Sequence, residues 1–110
     1  MGDHGNVKIV TDKSDLEKIL KDAGGKLVII DFSAKWCGPC KNIHPKYTAL
    51  SSQYSDAVFL TVDVDDAEEI AAAYDVSSMP TFVFVKNGKS VERFSGANPT
   101  KLEEMINKLK

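Results

Sequence analysis

The stretch that decides the reading runs Lys26-Leu27-Val28-Ile29-Ile30-Asp31-Phe32-Ser33-Ala34-Lys35-Trp36-Cys37-Gly38-Pro39-Cys40-Lys41. It opens on an unbroken apolar run, Leu27 to Ile30, rich in β-branched residues and preceded by Gly24-Gly25. Such a run suits a central strand over 26–32 that is covered on both faces of a sheet. The stretch closes on the pair Cys37 and Cys40. Beyond it, Ile43, Tyr47, Leu50 and Tyr54 recur at helical spacing and predict a helix from about Pro39 to Tyr54. Pro45 falls inside that helix and is expected to kink it, because it removes an amide and crowds the preceding turn. A buried strand running into a helix puts Cys37 outside the carboxyl end of the strand, the edge at which open α/β sheets place their sites.

Chemistry follows from that placement. Unpaired amides and the helix dipole favour negative charge at a helix start, so the Cys37 thiolate is expected to be stabilised and its pKa lowered. The thiolate is the species that attacks a disulfide. Cys40 lies one helical turn further on, on the same face and closer to the interior, where it can attack the sulfur of Cys37 and resolve a mixed disulfide. Pro39 has no amide to lose in the first helical turn. Asp31 ends a run that should be covered on both faces, so its carboxyl is expected to be partly desolvated and its pKa raised. Such a group can take the proton from Cys40, directly or through a water. A solvated strand-end aspartate that caps a neighbouring loop is an equal reading of the same position. Met79-Pro80 precedes a strand and is a candidate cis bond, against the ordinary trans preference of such bonds.

Outward from this centre, the elements alternate. Val7 to Val10 is a short strand. Ser14-Asp15-Leu16-Glu17 reads as a capping box opening a helix that runs to about Ala23 with Leu16, Ile19 and Leu20 on one face. Residues 57–64 form a strand, and Asp65-Asp66 are expected to cap a helix over about 67–74. Thr81-Phe82-Val83-Phe84-Val85 is a strand. Lys86-Asn87-Gly88-Lys89 carries a hairpin dipeptide, and residues 90–95 return antiparallel. Asn98-Pro99 caps a last helix whose Leu102, Met105, Ile106 and Leu109 share a face. The order predicts an α/β fold with right-handed crossovers. It is a mixed five-stranded sheet, a three-strand βαβαβ part plus a C-terminal hairpin, with helices on both faces.

Composition narrows the function. The 110 residues make one domain, 1–110, with residues 1–6 as a flexible tail. Lysine plus arginine total 14 against 16 acidic residues, a net charge of −2, so there is no electrostatic footprint for nucleic acid or an anionic membrane. The two cysteines close almost no loop and are not a structural staple. A polar start, with no apolar span, points to a cytoplasmic protein. Zinc usually takes four ligands, and the chain offers two thiols with His4 and His44, so no metal site is expected. The acidic run Asp63-Val64-Asp65-Asp66 lacks the glycine and distal glutamate of a calcium loop and reads as a strand end and helix cap. Lys35 and Lys41 are exposed charges of small effect on the thiolate.

The segment from Ile29 to Lys41, the segment Met79-Pro80-Thr81-Phe82 and the segment Phe94-Ser95-Gly96-Ala97-Asn98 together resemble the thioredoxin family, in family order and over essentially the whole chain from about Val7. A lowered thiol pKa and a reducing poise are general features of that family. The resemblance implies the thioredoxin fold and a thiol–disulfide oxidoreductase that reduces protein disulfides through a reversible Cys37–Cys40 disulfide, contributing to cell redox homeostasis. It implies Cys37 as exposed nucleophile, Cys40 as buried resolving thiol and Asp31 as the buried acid/base for Cys40. Gly38 and Pro39 would help set the reduction potential. Trp36, Met79, Pro80, Gly96 and Ala97 would bind substrate with Gly38 and Pro39, the Met79 backbone pairing with an extended segment, and Met79-Pro80 would be cis. No cofactor would be bound; electrons would come from NADPH through thioredoxin reductase. Disulfide-containing partners would include peroxiredoxin, ribonucleotide reductase and methionine sulfoxide reductase, in the cytoplasm with access to the nucleus.

Ser33 and Met79 are similar to the eukaryotic branch. Animal members of that branch often carry extra cysteines near positions 66 to 78, where this chain has Asp66, Tyr74 and Ser78, so a monomer without further thiol regulation is expected. Asn42 and His44 are atypical on the active-site helix. Oxidase and isomerase relatives usually place a histidine between the cysteines, where this chain has Gly38-Pro39. Two other classes fit the same residues: a binding module whose thiols are dispensable, and a metal or cluster carrier.

Overall fold

The computed structural model describes residues 5–110. The expected flexible tail over 1–6 falls, at residues 1–4, outside the described residues, and so does His4. Asn6 is tethered: its backbone amide donates to Ser51 Oγ at 2.9 Å and its side-chain amide to the Ser51 carbonyl at 3.1 Å.

The chain runs β1 (Val7–Ile9), α1 (Lys13–Ala23), β2 (Val28–Ser33), α2 (Gly38–Gln53), β3 (Val58–Asp63), α3 (Glu68–Ala73), β4 (Thr81–Lys86), β5 (Lys89–Ser95) and α4 (Pro99–Leu109). The sheet order is β1-β3-β2-β4-β5. β1, β3 and β2 are mutually parallel, while β4 pairs antiparallel with both β2 and β5. The expected mixed five-stranded sheet with four helices is therefore present.

The two-residue period of β2 sorts the core. Val28, Ile30 and Phe32 pack with Leu16 of α1 and Ile70 of α3. Ile29 packs on the opposite face with Ile43, Tyr47 and Leu50 of α2 and Leu102 and Ile106 of α4. Asp31 shares the parity of Ile29 and so faces the α2 side. Each buried Leu, Ile or Phe contributes ~1.5–3 kcal/mol, so these two layers supply the main drive for folding. Aromatic contacts stitch the α2 layer, with Tyr47 against Phe59 at 5.3 Å and Phe82 at 5.7 Å between ring centroids.

Helix starts depart from expectation in two places. α1 begins before Ser14: Asp12 is its N-cap, and the Asp12 side chain accepts the Ser14 amide at 3.1 Å. Asp12 supplies the side-chain acceptor two residues earlier, so Ser14 is not the cap. Asp65-Asp66 do not cap α3. Its N-cap is Ala67, without a side-chain bond, and the Asp63 carbonyl accepts from Asp66 and Ala67 instead. α2 continues through Pro45 to Gln53. In the hairpin Asn87 and Gly88 both take positive φ, 53° and 76°, the backbone that a tight two-residue turn requires. The antiparallel partners skip Val91, a bulge that steepens the local twist. Among the described residues no helix is long and apolar enough to cross a membrane.

Candidate active site

Cys37 is the N-cap of α2, and its Sγ accepts the Cys40 amide at 3.2 Å. The Cys40 amide at the helix start thus points at this sulfur, an arrangement that favours a thiolate. Pro39 occupies the first turn, as its missing amide allows. Cys37 and Cys40 are joined by a disulfide, with Cα atoms 5.3 Å apart. In this form Cys37 is 4% exposed and Cys40 6%. The expected contrast between an exposed nucleophile and a buried partner is absent here, because the bond turns the Cys37 sulfur onto Cys40 in a small cluster with Ala34, Val64 and Met79.

Asp31 is 3% exposed, and its Oδ1 has no hydrogen-bond partner among the described residues. Its β2 position is flanked by Thr61 of β3 and Phe82 of β4. Burial pushes its carboxyl up to about 7, against a smaller opposing pull from the Thr61 side chain. The solvated strand-end reading is overturned. Desolvation dominates because β2 is covered on both faces at this point. Beneath it, Tyr47 is fully buried and its hydroxyl lies 3.0 Å from the Ile29 carbonyl and 2.7 Å from that of Leu60. Burial, and then the Asp31 charge, raise the Tyr47 phenol well above its ordinary value, so it remains a neutral donor.

The residues expected to dock substrate come from separate loops. Met79-Pro80 is cis and delivers the Met79 side chain to the cysteine cluster. The Gly96 amide donates to the Pro80 carbonyl at 2.9 Å and Gly96 adopts φ 105°, which brings the 95–97 segment alongside. The Thr81 hydroxyl donates to the Ser78 carbonyl at 2.6 Å and lies 2.8 Å from Ser95 Oγ. Gly38, Pro39, Gly96 and Ala97 are exposed. Trp36 is 67% exposed, yet its indole N–H donates to Asp65 Oδ2 at 2.9 Å.

Sequence reasoning missed Asp65, Thr81, Ser95 and Tyr47. Nothing in the spacing of Asp65 links it to Trp36, 29 positions away. The position of Thr81 directly after Met79-Pro80 was the one available signal for a hydroxyl that fastens that loop. His44 and Thr48 approach at 3.4 Å one turn apart on α2. Among the described residues no three His, Cys, Asp or Glu side chains gather as metal ligands. Two cavities of about 680 Å³ lie elsewhere, one against α1 and α3 and one beside Tyr54, and neither is lined by a cysteine or Asp31.

Comparison with known proteins agrees with this geometry. The family model described as Thioredoxin matches residues 6–108. The chain is 55% identical to a thioredoxin of Gallus gallus over 94% of this chain and 98% of that one. It is 52% identical to a thioredoxin of Homo sapiens with the same coverage, 94% and 98%. The X-ray structure of Fasciola hepatica thioredoxin superposes with a TM-score of 0.92 at 51% identity, covering 94% of this chain and 99% of that one.

Proposed function

The chain belongs to the thioredoxin family and is a thiol–disulfide oxidoreductase that reduces disulfides by dithiol–disulfide exchange; on that premise we propose how its residues divide the work. The observation that carries the reading is the Cys37–Cys40 disulfide at the start of α2, with the buried carboxyl of Asp31 on the strand that leads into it.

In the dithiol form Cys37 attacks one sulfur of a substrate disulfide as the thiolate. A Cys37–substrate bond forms, the substrate S–S bond breaks, and the departing sulfur takes a proton. Asp31 in its carboxylate form then accepts the Cys40 proton, directly or through a water, and Cys40 attacks Cys37 Sγ. The second substrate thiol leaves, and two electrons have passed from the cysteine pair to the substrate. A carboxyl near 7 is balanced between accepting and returning that proton at neutral pH. Gly38 and Pro39 constrain the helix start and so the potential. Trp36, Met79, Gly96 and Ala97 form the apolar docking surface, Pro80 being buried, and the Met79 backbone pairs with an extended substrate segment.

Family members need no bound cofactor, and their partners are disulfide substrates and a reductase. We assign electron supply to NADPH through thioredoxin reductase. The assigned substrates are disulfide proteins such as peroxiredoxin, ribonucleotide reductase and methionine sulfoxide reductase. We assign the site of action to the cytoplasm, with nuclear access, and the working form to a monomer. The ground for the compartment is chemical: reducing surroundings would keep a catalytic dithiol open.

The test is insulin-disulfide reduction with dithiothreitol. Wild type should far outpace Cys37→Ser, and Cys40→Ser should accumulate a mixed disulfide. Equal rates for wild type and Cys37→Ser would overturn the reading in favour of a binding module.

A further inference from the structure

The chain holds three methionines and two cysteines. Among the described residues, Met79 packs against the cluster of Ala34, Cys37 and Cys40, while Met105 packs against the Leu102–Ile106 side of the core. Both thioethers are half-buried, so exposure does not distinguish them. Their surroundings differ, since of the two only Met79 packs beside the cysteine pair. In the dithiol form, an oxidant reaching the site meets a thiolate, a far better nucleophile than a thioether. In the disulfide form no cysteine is free, and the Met79 sulfur is the remaining soft nucleophile at the site.

We propose that Met79 is a second-stage oxidation site for hydroperoxides, which takes an oxygen atom once the Cys37–Cys40 disulfide has formed and thereby weakens substrate docking. The first equivalent of peroxide removes two electrons from the dithiol, giving the disulfide, one alcohol (or water) and one water. The next transfers its terminal oxygen to Met79: the O–O bond breaks, an S–O bond forms, and the peroxide remnant leaves as alcohol or water. Sulfur loses two electrons, and a flexible apolar side chain becomes a polar one. That dipole sits against the cluster of Ala34, Cys37 and Cys40, where burying it against an apolar partner carries a desolvation cost. The consequence for docking rests on the docking role given to Met79 above; the oxidation itself does not.

The experiment titrates the full-length dithiol protein with hydrogen peroxide, one equivalent at a time. After removal of peroxide, peptide masses are read for all three methionines. The expected order is disulfide first, then an added oxygen on Met79. Samples are then reduced with dithiothreitol, which restores the dithiol, and assayed on insulin. KM should rise roughly five- to tenfold with kcat changed by less than about twofold. Each of Met79→Leu and Met105→Leu is compared with its own untreated sample. Met79→Leu should lose the peroxide-dependent rise in KM, and Met105→Leu should keep it. Oxygen on Met79 before the disulfide forms, or none on Met79 after it has formed, overturns the proposed order. Full Met79 sulfoxide with an unchanged KM overturns the docking consequence, and the docking role of Met79 with it, while leaving the order of oxidation to be read from the masses.

Discussion

The indole N–H of Trp36, the residue before the nucleophile, donates to the carboxylate of Asp65 at 2.9 Å. The Asp65 backbone amide in turn donates to Asp63 Oδ1 at 2.9 Å, so a turn at the end of β3 sets the orientation of an aromatic on the loop after β2. A largely exposed ring is thereby given one position rather than several.

Breaking that bond should loosen the ring without unfolding the chain. Asp65→Ala removes an exposed hydrogen bond, worth ~0.5–1.5 kcal/mol at most. Trp36 is the single tryptophan, so its fluorescence reports on this ring alone. Faster acrylamide quenching and a higher KM for insulin are expected, with little change in thermal midpoint. Quenching equal to wild type would show that packing, not Asp65, holds the indole.

Asp31 makes stability depend on pH in a defined direction. Its carboxyl titrates at about 7 in the folded chain and near 4 when unfolded. Between those values the folded state keeps a proton that the unfolded state has lost, so stability falls as pH rises and stays lower above 7. At ~1.4 kcal/mol per pH unit the full loss is ~4 kcal/mol. Asp31→Asn should remove it, giving a protein more stable than wild type at pH 8 and similar near pH 4. Denaturant unfolding of the disulfide form across that range measures the difference. The same variant should slow release of a mixed disulfide.

Tyr47→Phe keeps the ring and deletes a hydroxyl that spans β2 and β3. Two buried carbonyls lose a donor, which should cost ~1–3 kcal/mol. Because Tyr47 touches no proposed substrate group, insulin reduction below the unfolding range should stay near wild type. A guanidinium midpoint equal to that of wild type would mean that the sheet's own amides satisfy both carbonyls.

Gly96 has open space where a Cβ would sit, but its φ is 105°. Gly96→Ala is therefore strained by its backbone rather than by a clash, at ~1–3 kcal/mol. The strain should shift the segment that donates to the Pro80 carbonyl, raising KM more than it lowers kcat. An unchanged denaturation midpoint and KM would show that the loop relaxes at no cost.

Much of this was legible along the chain. The apolar run before Asp31, the cysteine pair, the Asn87-Gly88 turn and the spacing of Leu102, Met105, Ile106 and Leu109 each state a local preference, and each sits in the element expected. The misses at the helix starts are of one kind. Ser14 and Asp65-Asp66 have the composition of caps, yet Asp12 reaches the α1 amides first and Asp65 is engaged by Trp36. Several acceptors near a helix start compete, and the winner is chosen by three-dimensional reach.

The sequence by itself determined the strand-to-helix junction that carries Cys37 and Cys40, because periodicity and capping act over a few residues. Only the tertiary structure decided how deeply Asp31 is buried, which turn holds Trp36, and that Met79 closes over the cysteine pair. Those facts depend on residues from β3, β4 and the loop before β4 meeting at one sheet edge. Desolvation and directional hydrogen bonds are properties of that meeting, which no local stretch contains.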